Sequence, residues 1–233
     1  AYALQNATTG DRNVAFGKNC LNDLTTGGYN SAFGTYAGQE ITTGTRNVLL
    51  GLYTGRYLTT AGYNTAVGNK ALSGTSGSAT GNYNVALGYE ANQAVTSGHT
   101  NVAIGYQTMY NAAGAYENVA IGSKAGYSLT TSSAIWNTLI GNKAGYDMTT
   151  ATSNVAIGYQ TLDSVTTGQE NTAIGRETGR SLTTGRNNII IGATAEPSSA
   201  TTSYECTIGD NSITKFRIPG INFTVKDTTA TED

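Results

Sequence analysis

The sequence predicts a mainly β fold, a parallel β-solenoid in which each short coil adds one strand to a growing sheet. Three observations carry this. The motif NVAFG at residues 13–17 returns down the chain as far as CTIG at 206–209. Its glycines stand at Gly17, Gly34, Gly51, Gly68, Gly88, Gly105, Gly122, Gly141, Gly158, Gly175, Gly192 and Gly209, and nine of the eleven intervals between them are 17 residues long, with one of 20 and one of 19. A fixed short period of this kind marks a stacked, quasi-one-dimensional repeat protein. The residue after the Asn is mostly Val or Thr, which favour strands.

Numbered from its Asn, position 1 of the repeat is Asn13, Asn30, Asn47, Asn64, Asn84, Asn101, Asn118, Asn137, Asn154, Asn171 and Asn188, and Glu205 in the last copy. Stacked in register, these residues form a ladder whose side-chain amides donate to and accept from the copies above and below. Position 3 is mainly Ala and position 4 always large and apolar, so positions 1 to 5 read as a short strand. Alternation sends positions 2 and 4 to one side and 1, 3 and 5 to the other. The expectation is that 2 and 4 face the core of the coil. The Asn, Ala and Gly side either shapes the coil or is small enough for a neighbouring chain to pack on it.

Position 8 is Ala or Thr and position 12 usually aliphatic, as in Leu24, Ile41, Leu58, Val95, Leu129, Met148, Val165 and Leu182. That spacing of four suits a helical bend. LTTG or a variant, as at 24–27 and 182–185, closes the coil, with Gly allowing a positive φ and Thr bonding locally. Twelve such coils stacked about 4.8 Å apart make a rod roughly 55 to 60 Å long. Burial of about three medium apolar side chains per coil falls short of the entropy of ordering a repeat. Packing between chains fills the gap, and a homotrimer is expected.

The solenoid is expected over 1–211. Residues 1–9 scan as the later part of a repeat, as in a segment of a longer fibre. SITKFRIPGINFTVKD at 212–227 switches to period-two alternation around Pro219 and Gly220, which predicts a strand-turn-strand cap or neck. A tail is expected at 228–233.

Composition narrows the function. Only 12% of residues are charged, the net charge is −2 and the 13 Lys and Arg are scattered, so a nucleic-acid partner is not expected. No apolar run approaches the length of about 18 residues that inserts in a membrane. Cys20 and Cys206 lie near opposite ends of the array at inward or tightly packed positions, where each suits a small buried apolar residue better than a bridge or metal site. His99 is the only histidine and falls in a turn with no triad or metal-ligand spacing around it. No two carboxylates have a spacing that places them across a sugar, and no phosphate-loop pattern occurs. No enzyme, metal or cofactor is expected.

Tyrosine stands out, with 15 in the chain. Tyr89, Tyr106 and Tyr159 follow the strand Gly, and Tyr110, Tyr127 and Tyr146 occupy position 10, so stacking brings equivalent rings together. An aromatic face with a polar tip suits glycan or protein-surface recognition, or covers a thin coil. The insertions lie within 73–81 and 130–136, and insertions in regular solenoids form loops, often on a binding face. The second carries Ile135 and Trp136, the only Trp. Binding residues are therefore expected among Trp136, Ile135 and these tyrosines.

NVAIGYQT at 101–108 and 154–161, with SLTTG at 181–185, resembles the repeat regions of phage tail-fibre and appendage proteins. TIGDNSITKFRIPGINFTV at 207–225 is similar to the junction before a C-terminal intramolecular chaperone in such fibres. The resemblance implies a trimeric spacer or receptor-facing segment of a virion fibre, matured by removal of that chaperone, that touches a host-surface glycan or protein receptor. The N-x-A-x-G strands also resemble the heads of bacterial trimeric autotransporter adhesins. Those have a shorter repeat, and this chain shows none of their coiled-coil stalk or anchor. Their likeness implies the bacterial surface as the alternative location. The ranks of Thr suggest an ice-binding solenoid as a further alternative, although adjacent threonines of a strand point to opposite faces. A glycan-cleaving tailspike is a third.

Overall fold

The computed structural model describes residues 2–75, 77 and 79–215. It is a parallel β-solenoid of about eleven coils carrying twelve three-residue strands. They are β1 (Val14–Phe16), β2 (Ser31–Phe33), β3 (Val48–Leu50), β4 (Thr65–Val67), β5 (Val85–Leu87) and β6 (Val102–Ile104). The series continues with β7 (Val119–Ile121), β8 (Thr138–Ile140), β9 (Val155–Ile157), β10 (Thr172–Ile174), β11 (Ile189–Ile191) and β12 (Cys206–Ile208). Strand order in the sheet is chain order, and every pair is in register, so Ala103 of β6 lies beside Ala86 and Ala120. At about 4.8 Å per step the strands span roughly 53 Å. Most of the expected 212–227 cap and all of the 228–233 tail lie outside the described residues.

The interior contradicts the expected facing of the strand. Position 3 points inward and is fully buried at Ala32, Leu49, Ala66, Ala86, Ala103, Ala120, Leu139, Ala156 and Ala173, whereas Val14, Phe16, Val48, Leu50, Ile189 and Ile191 point out to solvent. Alternation separates two sets of side chains without saying which is inside, and size misled the choice. A coil of 17 residues is too thin for two branched side chains from the strand as well as the aliphatics of positions 9 and 12 opposite. Alanine fits, and the bulk of the core comes from Leu21, Leu24, Ile41, Leu58, Leu72, Met109, Leu129, Met148, Leu162 and Leu182. Where position 3 is large, position 9 shrinks to compensate. Leu49 sits against Gly55, where an added Cβ would come within 2.8 Å of its Cδ2.

The asparagine ladder also lies inside. Asn101 Nδ2 donates to Asn84 Oδ1 at 3.2 Å and to the Ala115 carbonyl at 2.7 Å, and its own Oδ1 accepts the backbone N–H of Asn118 at 3.1 Å and the Asn118 amide at 3.3 Å. One side chain thus closes its own coil and ties it to both neighbours. The same pattern runs from Asn30 on Asn13 to Asn188 on Asn171, and the Asn residues from 30 to 188 are buried. Glu205 continues the backbone part only, its N–H donating to Asn188 Oδ1. Its carboxylate turns to Ser198, Thr202 and Thr207, and hydrogen bonds from Ser198 and then Thr207 hold it below the usual range.

The expected helical bend is absent: among the described residues there is no helix. Positions 7 and 9 instead take left-handed backbone, as at Tyr36 (φ 60), Lys70 (φ 57), Gln107 (φ 49) and Met109 (φ 50). The reversals swing successive N–H groups toward opposite neighbours. Tyr36 N donates back to the Lys18 carbonyl at 2.8 Å, while Leu21 N donates forward to Ala37 at 3.0 Å. Inter-coil bonds then run around the whole coil, satisfying backbone groups that a helix would have satisfied within itself, and they offset the cost of left-handed non-glycine residues. Position 13 adds a hydroxyl ladder, with Thr25 Oγ1 donating to the Thr42 carbonyl at 3.1 Å and Thr166 Oγ1 to Thr183 at 3.4 Å.

The strand Gly is required at each step. At Gly158 φ is +137, and a Cβ there would lie 2.2 Å from the Gly175 carbonyl oxygen of the next coil. Gly158→Ala is expected to cost roughly 3 to 5 kcal/mol, the sum of backbone strain and overpacking. Gly77→Ala, where φ is +72 and nothing lies within 4 Å, is expected to cost only about 1 kcal/mol. Thermal unfolding followed by circular dichroism compares the two, and equal losses would contradict the steric account.

Candidate functional site

Two kinds of surface feature emerge from this geometry: an apolar face on the sheet and columns of aromatic and cationic side chains beside it. Positions 2 and 4 of all twelve strands form two parallel columns in register, from Val14 and Phe16 to Cys206 and Ile208. Neither column contains a charged residue. Phe16 is 75% exposed and Val48 47%. With the columns about 6.6 Å apart, the strip covers roughly 53 Å by 10 Å. Contiguous apolar patches beyond a few hundred Å² are rare on the free surface of monomers.

Stacking does bring the sequence-predicted tyrosines together. Tyr110, Tyr127 and Tyr146 form a continuous column with centroids 5.2 and 5.1 Å apart, and Tyr89 and Tyr106 pair at 5.7 Å. Burial raises the Tyr127 phenol above its ordinary range, and the phenols of Tyr146 and Tyr110 add to this. Tyr159 is exposed and has no ring partner in its column. In a stack the ring faces are covered by the neighbouring rings, so sugar-to-face contact is open only at the ends of each column. Hydroxyl tips and ring edges remain along its sides.

Trp136 is 59% exposed and donates its indole N–H to the Glu117 carboxylate. Ile135 is half-buried, forms a parallel bridge with Tyr116 and accepts hydrogen bonds from Asn137 and Thr152. Both occupy regular repeat positions, and the extra residues of this insertion project as the exposed 131–133 turn.

Cationic partners within the columns escaped the sequence reading. Arg46 stacks on both Tyr29 and Tyr63, at 5.1 and 5.2 Å, and Arg56 lies over Tyr36, Tyr53 and Tyr57 at 5.2, 5.1 and 4.8 Å. Each sits one repeat from its ring, a spacing of 17 or a near multiple that the known period would have exposed. Beside Arg56, Lys70 pairs with Glu90 at 3.1 Å. Burial works to raise the Glu90 carboxyl, but hydrogen bonds from Gln107, Lys70 and Tyr89 outweigh it and hold it below the usual range. Lys70 is raised in turn, first by its hydrogen bond to Glu90.

Other titratable groups are isolated. Cys20 is buried, its thiol donating to the Ala32 carbonyl at 3.3 Å, and desolvation pushes it up to about 11. Cys206 departs from expectation: it occupies outward position 2 and is exposed, because the strand faces the other way round. His99 stacks on Tyr116 at 4.8 Å. Asp147 and Asp163 come onto adjacent coils, where burial and then the charge of Asp163 raise the Asp147 carboxyl. Among the described residues no group of three His, Cys, Asp or Glu side chains is placed to hold a metal, and no helix is long and apolar enough to cross a membrane.

Fold and repeat define the class: this is a β-solenoid repeat protein. No protein-family model matches the chain, and neither a curated protein nor a solved structure matches it.

Proposed function

We propose that the chain is a rigid segment of a homotrimeric fibre on a virion, with the bacterial surface as the alternative location, and that it holds an adhesive surface at a distance from its base. The observation that carries this reading is the uncharged apolar strip formed by positions 2 and 4. A strip two columns wide suits three chains around a common axis, since each column then meets a different neighbour. The footprint falls below the ~800 Å² per partner of a standard interface, and the flanking columns at positions 17 and 6 extend it. The close-packing face is thus the branched side of the strand, opposite to the one expected from residue size.

Lateral columns stay outside such an interface and remain free to meet a receptor. An ice-binding reading draws less support. At position 13 the Thr hydroxyl is used on the next coil, and the sheet face carries Thr in position 2 only at Thr65, Thr138 and Thr172.

Sedimentation equilibrium on the intact chain tests the proposal. A mass three times the chain mass of 24.1 kDa is expected. A stable monomer would overturn the trimer, and thermal hysteresis would move the reading to ice binding.

A further inference from the structure

We propose that a gap in the position-10 column, beside the inserted 74–78 segment, binds one carboxylated sugar residue, with Arg56 holding the carboxylate. The gap follows from the sequence. Further along the rod this column is filled by the rings of Tyr110, Tyr127 and Tyr146, but in three earlier coils it reads Arg56, Ser73 and Gln93. Serine is too small to fill the space between its neighbours, and the chain leaves the regular path directly after it. Arg56 and Gln93 are two coils apart, about 10 Å, which a pyranose ring with its substituents spans.

The resulting cavity measures about 190 Å³ and is lined by Tyr53, Arg56, Tyr57, Lys70, Ser73 and Gln93. That is below the ~300 Å³ at which pockets begin to enclose drug-sized ligands, so it suits a single sugar ring. Arg56 is held in place by Tyr57 at 4.8 Å and by donation of Nε to Gln39 at 3.0 Å. Among the described residues no carboxylate lies within ion-pair reach of it. The nearby acids are engaged elsewhere: Glu90 takes Lys70 and Gln107, and Glu40 accepts the Gly77 N–H at 3.2 Å. At the other end Gln93 Oε1 is buried and accepts no hydrogen bond among the described residues.

A guanidinium without a counter-ion, an acceptor without a donor and an aromatic wall between them match one ligand chemistry. The carboxylate takes the free donors of Arg56, a ring hydroxyl donates to Gln93, and the apolar face of the sugar lies along Tyr57. None of the lining residues belongs to a strand, so the site stays open when the sheet faces associate. The assignment rests on the adhesive reading for its setting, while the cavity is built by one chain and does not depend on the number of chains.

Saturation-transfer NMR on the intact chain tests it, with methyl glucuronide, N-acetylneuraminic acid and methyl glucoside as probes. The uronic and sialic probes separate the two sources of an acidic sugar, and binding of either supports the site. The neutral glucoside is expected to bind at least about tenfold more weakly, as is the acidic sugar to Arg56→Gln, in line with loss of a charge-assisted hydrogen bond. Ser73→Leu fills the gap while leaving Arg56 on its rings, and is expected to abolish the signal with the circular dichroism unchanged. No transfer to either acidic sugar, equal response to the neutral one, or full binding by both variants would each overturn the proposal. Sedimentation of the same samples reports separately on the trimer.

Discussion

Asn101→Leu, in the middle of the rod, is expected to lower stability by roughly 3 to 5 kcal/mol, because it leaves two buried backbone groups without partners at about 1 to 3 kcal/mol each. Those groups are the Ala115 carbonyl, which loses the Asn101 amide, and the Asn118 N–H, which loses Asn101 Oδ1. Asn84 Oδ1 keeps the backbone N–H of residue 101, so the damage runs toward the following coil. In a chain of this length the loss corresponds to roughly 10 °C in Tm. Because each coil touches only its neighbours, the two halves of the array are expected to melt less cooperatively than the unaltered rod. Asn101→Asp sharpens the test. An aspartate there faces Asn84 Oδ1 and the Ala115 carbonyl, both acceptors, in a buried site, so its folded-state pKa is raised. A raised folded pKa means that the folded chain holds its proton at a pH where the unfolded chain has released it. The penalty therefore grows as pH rises through the ordinary aspartate range toward the raised value, and is relieved on acidification. Thermal melts at pH 4 and pH 7, at one protein concentration, read this directly. An Asp variant equally destabilised at both would show that the ladder amide is not the controlling group.

The same ladder shows what the sequence makes legible. Period, strand positions, parallel order and the stacking of equal residues all follow from the recurrence of Asn13, Asn30, Asn47 and their successors, since a fixed period forces equal positions into register. The burial of positions 8 and 12 follows as well, at Ala37 and Ile41 for example. Which strand side faces inward does not, because alternation is symmetric and the answer depends on coil thickness. Ala103 is inside and Ile104 outside because the room opposite is already taken by residues such as Met109 and Leu129. The bend was equally hidden: spacing of four between positions 8 and 12 fits a helical turn, and the left-handed residues at Lys70 or Gln107 carry no signal in their identity. At the candidate site the tyrosine columns were readable and the cation partners were not, since Arg56 gains meaning only when Tyr36, Tyr53 and Tyr57 surround it.

Replacing Ile104 and Ile121 by Lys is expected to convert the trimer to monomer with the coil intact. Both are position-4 residues of neighbouring strands, paired in register on the outward side of the sheet. In an isolated coil the ammonium groups project into water, so the fold pays almost nothing, and β propensity changes only by tenths of a kcal/mol per site. In the trimer the same positions face another chain. Each isoleucine removed forfeits about 1.5 to 3 kcal/mol of burial, and each ammonium adds a desolvation penalty of several kcal/mol. Six such charges around one axis also repel one another. The sum exceeds what any narrow two-column interface supplies, so dissociation is expected to be complete at micromolar concentration. The readout is a one-chain mass by sedimentation with the far-ultraviolet dichroism of the unaltered protein. Thr43→Lys, an exposed residue of a closing turn, is the control and is expected to keep the trimer mass. If the Ile variant stays trimeric, the chains meet elsewhere, and the apolar strip must be covered by another partner. If it unfolds on dissociation, the coil depends on its neighbours for stability, as the small interior of alanine and asparagine already suggests.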